Sequence, residues 1–154
     1  MLNQEIEFGT KISGVNYRER LGVYGLILNA DENIALVTTG KGYFLPGGGV
    51  EGDETHEECL KRECTEELGY NIKLGEYIGK ASNYTLSFKT NEYLRAVGHF
   101  YRAQLLEPNY LKIEEDHELV WLPLEEAIDK MDMEFQAWAI KETLRVEFYN
   151  RTDY

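Results

Sequence analysis

The chain has 154 residues and a mass of 17.8 kDa, with 43% hydrophobic and 29% charged residues; at this length roughly 70% of the unfolded surface can be buried, so a core is available without cross-links. Lys plus Arg number 16 against 28 Asp plus Glu, a net charge of −12, which argues against polymeric nucleic acid as a partner, because that affinity rests on Lys and Arg displacing counterions. A small anionic ligand would need a cation or a focused basic spot to approach such a surface.

In chain order, Gln4 to Ile12 alternates apolar and polar residues and predicts a strand. The apolar run Val23 to Leu28 predicts a strand buried on both faces. Turn residues at 29–33 and the apolar Ile34 to Val37 then make a hairpin. A glycine-rich stretch from Gly40 to Gly52 reads as loop. A helix is predicted from Thr55 to Leu68, opened by the capping-box pair Thr55 and Glu58 and closed by Gly69. Strands follow at Ile72 to Ala81, Tyr84 to Phe88 and Tyr93 to Leu106, carried by β-branched and aromatic residues. Glu118 to Leu122 predicts a short strand closed by Pro123, Leu124 to Lys130 a short helix, and Met133 to Phe148 an amphipathic helix. With no repeat, linker or low-complexity tract, one domain over 1–154 is expected. Strands in hairpins mixed with helices point to an α+β or α/β/α arrangement. Cys59 and Cys64, five apart inside one helical pattern, read as free buried thiols. No run nears about 18 apolar residues, and Met1 to Glu7 lacks the features of a signal peptide. Membrane association is not expected, and a cytoplasmic location is.

Three acids mark the candidate chemistry. Glu63, Glu66 and Glu67 stand at i, i+3 and i+4, inside a helix sector about 100° wide. Leu60, Cys64 and Leu68 form an adjoining apolar stripe, which sets the carboxylates beside a buried seam. Two like charges 4 Å apart repel by about 4 kcal/mol at an effective dielectric of about 20; fully exposed on a helix the cost is about 0.2–0.5 kcal/mol per pair. A solvated acidic face and a site for a hard cation such as Mg²⁺ or Mn²⁺ are therefore both open at this point. Gly47, Gly48 and Gly49 precede the helix and let backbone approach a ligand. Arg62 can fix a carboxylate by a bidentate contact or serve as a plain i,i+4 pair with Glu66.

Together these residues resemble a family. Gly48, five residues, Glu54, seven residues, then Arg62-Glu63-Cys64-Thr65-Glu66-Glu67-Leu68-Gly69-Tyr70 resembles the Nudix box, Gx5Ex7REUxEExGU, where U is a bulky aliphatic residue. Every fixed residue of the box is present; the aliphatic positions hold Cys64 and Tyr70 instead. Leu45 to Gly49 and Trp121 to Glu126 also resemble stretches common in the family. The resemblance implies an α+β fold, the Nudix-type α/β/α sandwich with a mixed β-sheet. It also implies a hydrolase that splits the pyrophosphate of a nucleoside diphosphate linked to another group. Glu63, Glu66 and Glu67 would hold Mg²⁺ or Mn²⁺, helped by the Gly48 carbonyl, with Arg62 and Glu54 orienting them. The proton acceptor would be Glu63 or a downstream acid, for which Glu118 is the candidate. A bound cation would also explain how a chain of charge −12 receives an anionic substrate. The alternatives are a non-catalytic nucleotide sensor on the same fold, or an interaction domain whose acidic helix is only a solvated face.

Substrate contacts are thinly signalled. Asp132 and Glu134 can accept from a purine or simply favour a helix N-terminus. Arg18 and Arg20 can touch a phosphate or carry surface charge. Tyr24, Phe44 and Tyr101 can stack on a base or fill the core. His56 reads as first-turn helix surface, and His99 and His117 as packed or surface residues. The leaving group is open.

Overall fold

The second strand, β2 (Arg18–Ile27), sends its buried side chains alternately into two separate clusters. Val23 and Ile27 meet Cys59, Leu60 and Cys64; Leu26 meets Phe100, Phe135 and Ile140. A strand apolar on both faces must be covered twice, and helices cover it. The structure, a computed structural model, describes residues 6–87 and 89–152.

The larger sheet runs β1 (Ile6–Phe8), β6 (Tyr70–Ser87), β7 (Glu92–Pro108), β2 and β5 (Gly47–Gly49). Pairing is parallel for β1 with β6 and for β2 with β7, and antiparallel for β6 with β7 and for β2 with β5. A second antiparallel sheet orders β4 (Tyr43–Phe44), β3 (Asn33–Thr38) and β8 (Glu118–Pro123). One face of the assembly carries α1 (His56–Leu68), the other α2 (Leu124–Lys130) and α3 (Glu134–Thr152). This is the expected mixed-sheet α/β/α sandwich. Gly25 sets the approach of α1: a Cβ there would lie 3.3 Å from Leu60 Cδ2.

Several boundaries differ from the sequence expectation, each for a tertiary reason. The first strand is Ile6–Phe8 and not Gln4 to Ile12; Gln4 and Glu5 lie outside the described residues, and Gly9 turns the chain away at φ +81°. The strands expected at 72–81 and 84–88 are one element, β6, with bulges near Tyr70, Tyr77 and Gly79; Phe88 lies outside the described residues. The polar pair Ser82 and Asn83, which reads as a break, is buried in the ladder. Asn83 Oδ1 accepts the Phe135 N–H at 3.1 Å and so pins the start of α3 to β6. The final helix continues past Phe148 to Thr152; the side chains of Val146 and Phe148 lie outside the description. The two thiols are free and buried, as expected. No helix is long and apolar enough to cross a membrane.

Glycine hides the most consequential difference. Residues 47–49 form a strand and not a loop. The Gly25 N–H donates to the Pro46 carbonyl at 2.9 Å and the Val50 N–H to the Leu21 carbonyl at 2.9 Å, so β5 is hydrogen-bonded to β2 on both sides. Gly47 sits at φ +139° with its Cα against the Val23 carbonyl and Tyr24, where no side chain fits.

Candidate active site

The helix that carries the acids forms where local chemistry dictates. Thr55 Oγ1 accepts the Glu58 N–H at 3.1 Å, and Glu58 Oε1 accepts the Thr55 N–H at 3.1 Å, a reciprocal cap. Gly69, at φ 73°, closes the helix in the left-handed conformation. Leu60, Cys64 and Leu68 bury one stripe on the sheet, and this fixes where Glu63, Glu66 and Glu67 emerge.

Arg62 organises them. Its Nε donates to Glu54 Oε2 at 2.6 Å and its Nη2 to Glu54 Oε1 at 3.0 Å, a bidentate pair. Nη1 donates to Glu63 Oε1 at 2.9 Å and Glu66 Oε2 at 3.2 Å; Nη2 also reaches the Gly49 carbonyl at 2.9 Å. All five N–H donors of the guanidinium are thereby committed to protein acceptors. Glu54 is held below the usual carboxylate range by its hydrogen bonds to Arg62.

The three helix acids differ in setting. Glu67 is 8% exposed; its Oε1 accepts the Gly47 N–H at 2.9 Å. Burial pushes its pKa up to about 8 against that hydrogen bond, and the nearby charges of Glu63, Glu114 and Glu66 push the same way. Burial also raises Glu63, opposed by Arg62. Glu63 lies directly against β5: a Cβ on Gly48 would come within 2.7 Å of its carboxyl carbon. The Gly48 carbonyl accepts the Cys59 thiol at 3.6 Å. Burial pushes that thiol up to about 11, so it stays protonated and inert.

Each helix acid keeps one oxygen without a hydrogen-bond donor among the described residues, namely Oε2 of Glu63, Oε1 of Glu66 and Oε2 of Glu67. Hard carboxylate oxygens in one helix sector suit Mg²⁺ or Mn²⁺. The three are not drawn together to within 4.8 Å; the trio of described residues that meets that spacing is Glu114, Asp116 and His117. Arg62 and the Gly47 N–H hold the helix acids at separate anchor points, as mutual repulsion favours. A methyl group on Gly48 would displace Glu63 at the flexible end of its side chain, so Gly48→Ala is expected to keep the fold and weaken Mn²⁺ binding about tenfold or more. A calorimetric Mn²⁺ titration beside a thermal melt checks this; unchanged affinity would remove Glu63 from the cation site.

The segment after β7 wraps the end of α1. The Asn109 N–H donates to the Gly69 carbonyl at 2.8 Å, and those of Ile113 and Glu114 to the Glu66 carbonyl at 3.0 and 2.9 Å. It delivers His117, whose Nε2 stands 3.9 Å from Glu67 Oε2 and whose Nδ1 lies 2.9 Å from Asp116 Oδ1. The other acidic neighbours of His117, Asp116 and Glu114, are close in sequence; the wrap adds the distant one, Glu67. Glu118, the downstream candidate, begins β8 opposite Thr38 and is exposed.

Other candidates separate clearly. Arg18 pairs with Glu92 at 2.8 Å, whereas Arg20 lies over Gly49. The Asp132 carboxylate packs on the Gly42 backbone, and Glu134 is exposed at the first turn of α3. Tyr24 stacks on Phe100 with ring centroids 5.6 Å apart. Phe44 sits in β4 opposite Val37. Tyr101 is bonded to His56, Oη to Nδ1 at 2.7 Å, and the His56 ring lies 4.4 Å from that of His99. His56 is thus half-buried and not simple helix surface.

Comparison with known proteins places this geometry. The family model described as NUDIX domain matches residues 18–144. A NUDIX hydrolase from Nitrosomonas europaea superposes with a TM-score of 0.68 at 16% identity, over 83% of this chain and 90% of that one. The MutT protein from Methanosarcina mazei Go1 superposes with a TM-score of 0.68 at 20% identity, over 87% and 99%. A UDP-X diphosphatase gives 0.62 at 19%, over 89% and 68%. At such identities the superpositions speak for the fold.

Proposed function

Because the chain belongs to the NUDIX-domain family and is a Nudix-type hydrolase of phosphoric anhydrides, we propose that it is a divalent-cation-dependent pyrophosphohydrolase. Its substrate is a nucleoside diphosphate linked to a further group. Nudix proteins as a family use divalent ions on small nucleotides, and the donor set here fits that use. The observation that carries the reading is the trio of helix acids, each with one oxygen anchored by an N–H and one left for a cation.

Glu63, Glu66 and Glu67 hold Mg²⁺ or Mn²⁺, with the Gly48 carbonyl alongside. Such an ion, held there, would supply charge neutralisation at the phosphate oxygens and acidification of water. Arg62, with every donor committed, fixes Glu63 and Glu66 and ties both to Glu54 and β5. Glu63 is the better-placed proton acceptor. Burial raises its pKa above the ordinary carboxylate value, against the opposing effect of Arg62, which makes it a stronger base than an ordinary carboxylate, and it faces the β5 backbone. Glu118 is the second candidate, and its exposure on β8 counts against it.

The test is a panel of nucleoside triphosphates, dinucleoside polyphosphates and UDP-linked compounds with Mg²⁺ or Mn²⁺, reading released phosphate with and without added phosphatase. Turnover that disappears on chelation is expected. A Mn²⁺ response without turnover of any compound favours the sensor reading, and no Mn²⁺ response at all ends the metal assignment. On a turned-over substrate, Glu63→Gln is expected to lower kcat by about 10²-fold or more, while Glu118→Gln leaves it within a few-fold. The reverse order would move the proton acceptor to β8.

A further inference from the structure

Two contiguous phosphates carry more negative charge than one divalent cation neutralises, and Arg62 is not available for the remainder. Its donors all end on Glu54, Glu63, Glu66 and the Gly49 carbonyl. Other arginines are engaged elsewhere: Arg18 with Glu92, Arg95 with Glu19, Arg145 with Glu142. Arg20 differs. It is exposed, and among the described residues it makes neither a hydrogen bond nor an ion pair.

Its position is specific. A Cβ on Gly49 would lie 2.9 Å from Arg20 Nε and 3.0 Å from its Nη2, so the guanidinium rests on the bare backbone of β5. The same residue, Gly49, gives its carbonyl to Arg62. The two guanidinium groups therefore flank one glycine, one saturated and one open. The positive charge of Arg20 is felt by Tyr24 and by Glu63, so it stands near the acidic site, with β5 between. Register explains the arrival. Gly22 in β2 pairs with Gly49, and Arg20 lies two residues before Gly22 on the same face, where alternation directs its side chain across β5. Any residue with a Cβ at 49 would push it away.

We propose that Arg20 is the phosphate-binding side chain of this site. It holds, by paired N–H donors, the phosphate adjacent to the one on the cation. The ligand class is a compound with two contiguous phosphates, one on the helix acids and one on Arg20. This rests on the metal-dependent reading above. It also identifies the focused basic spot that a chain of charge −12 requires for an anion.

The experiment uses the full chain, with Mn²⁺ alone as one probe and inorganic pyrophosphate, presented as its Mn²⁺ complex, as the other. Both are titrated into wild type, Arg20→Ala, Arg20→Lys and Arg18→Ala, with thermal melts confirming the fold. Arg20→Ala is expected to bind Mn²⁺ as wild type does and to bind the pyrophosphate complex about 10- to 100-fold more weakly. Arg20→Lys restores only part of that, because an ammonium lacks the forked donors, and Arg18→Ala matches wild type. Unchanged pyrophosphate affinity in Arg20→Ala, with Mn²⁺ binding intact, overturns the Arg20 assignment and leaves the metal site standing. Loss of Mn²⁺ affinity in that variant also overturns it, by making Arg20 a support for the geometry of the cation site. Failure of wild type to bind Mn²⁺ removes the metal reading and Arg20 with it.

Discussion

Glu67→Gln is expected to abolish turnover and, in the metal-free protein at pH 8, to raise the melting temperature by several degrees. Both effects come from one buried carboxyl. Glu67 is 8% exposed and its pKa is pushed up to about 8 by burial. Below about pH 4.5 it is protonated whether the chain is folded or not. Between that pH and about 8 the folded state binds a proton that the unfolded state has released, so stability falls as pH rises through this window. Ionised Glu67 then opposes folding by something on the order of a few kcal/mol, and Gln removes the charge while keeping an acceptor for the Gly47 N–H. The same charge is what a cation needs, and Mn²⁺ affinity should therefore climb with pH over the same range. Thermal melts from pH 5 to 9, with and without Mn²⁺, read both halves. Wild type should lose stability with pH only in the absence of metal, and the variant should respond weakly to both. A variant less stable than wild type at pH 8 without metal would show that Glu67 serves the fold and not a cation.

Arg62→Met should cost both stability and activity. Met matches much of the apolar stem and removes every donor. Glu54, Glu63 and Glu66 then face one another without the cation that separates them, at sites where their side chains are 17%, 16% and 28% exposed. Breaking a buried pair costs about 3–5 kcal/mol; partial exposure here places the loss near about 3 kcal/mol. Mg²⁺ should restore part of it by taking over the charge balance. Arg62→Lys should rescue poorly, since one ammonium cannot span Glu54, Glu63, Glu66 and the Gly49 carbonyl at once. Urea unfolding with and without Mg²⁺ reads the outcome. A midpoint unmoved by Arg62→Met would mean that the network is screened surface charge and does not hold the glutamates in place.

Some parts of this molecule are written locally. The helix α1 was legible to within a residue at both ends because caps act over three or four positions: Thr55 and Glu58 bond each other, and Gly69 needs only its own φ. The shared sector of Glu63, Glu66 and Glu67 follows from helical geometry alone. The two-faced burial of Val23 to Ile27 follows from an apolar run in a strand. The spaced residues Gly48, Glu54, Arg62, Glu63, Glu66, Glu67 and Gly69 carried the family resemblance that the family match over 18–144 then established.

What required the tertiary structure is what depends on a partner distant in the chain. Gly47 to Gly49 carries no strand propensity, yet its backbone groups pair with β2 as well as any residue's. Ser82 and Asn83 look like a break until α3 supplies the N–H that Asn83 accepts. His117 meets Glu67 because the Glu66 carbonyl anchors the segment before it, fifty residues away in sequence. Arg18 and Arg20 are indistinguishable in sequence and share one face of β2; their different positions along the strand and a missing Cβ on Gly49 send one to Glu92 and leave the other over β5. The amino-acid order by itself determined which acids share a helix face, because that geometry repeats within one turn. Burial, register and long-range hydrogen bonds decided how those acids are charged and which cation stands open beside them, because those forces act only once distant segments meet.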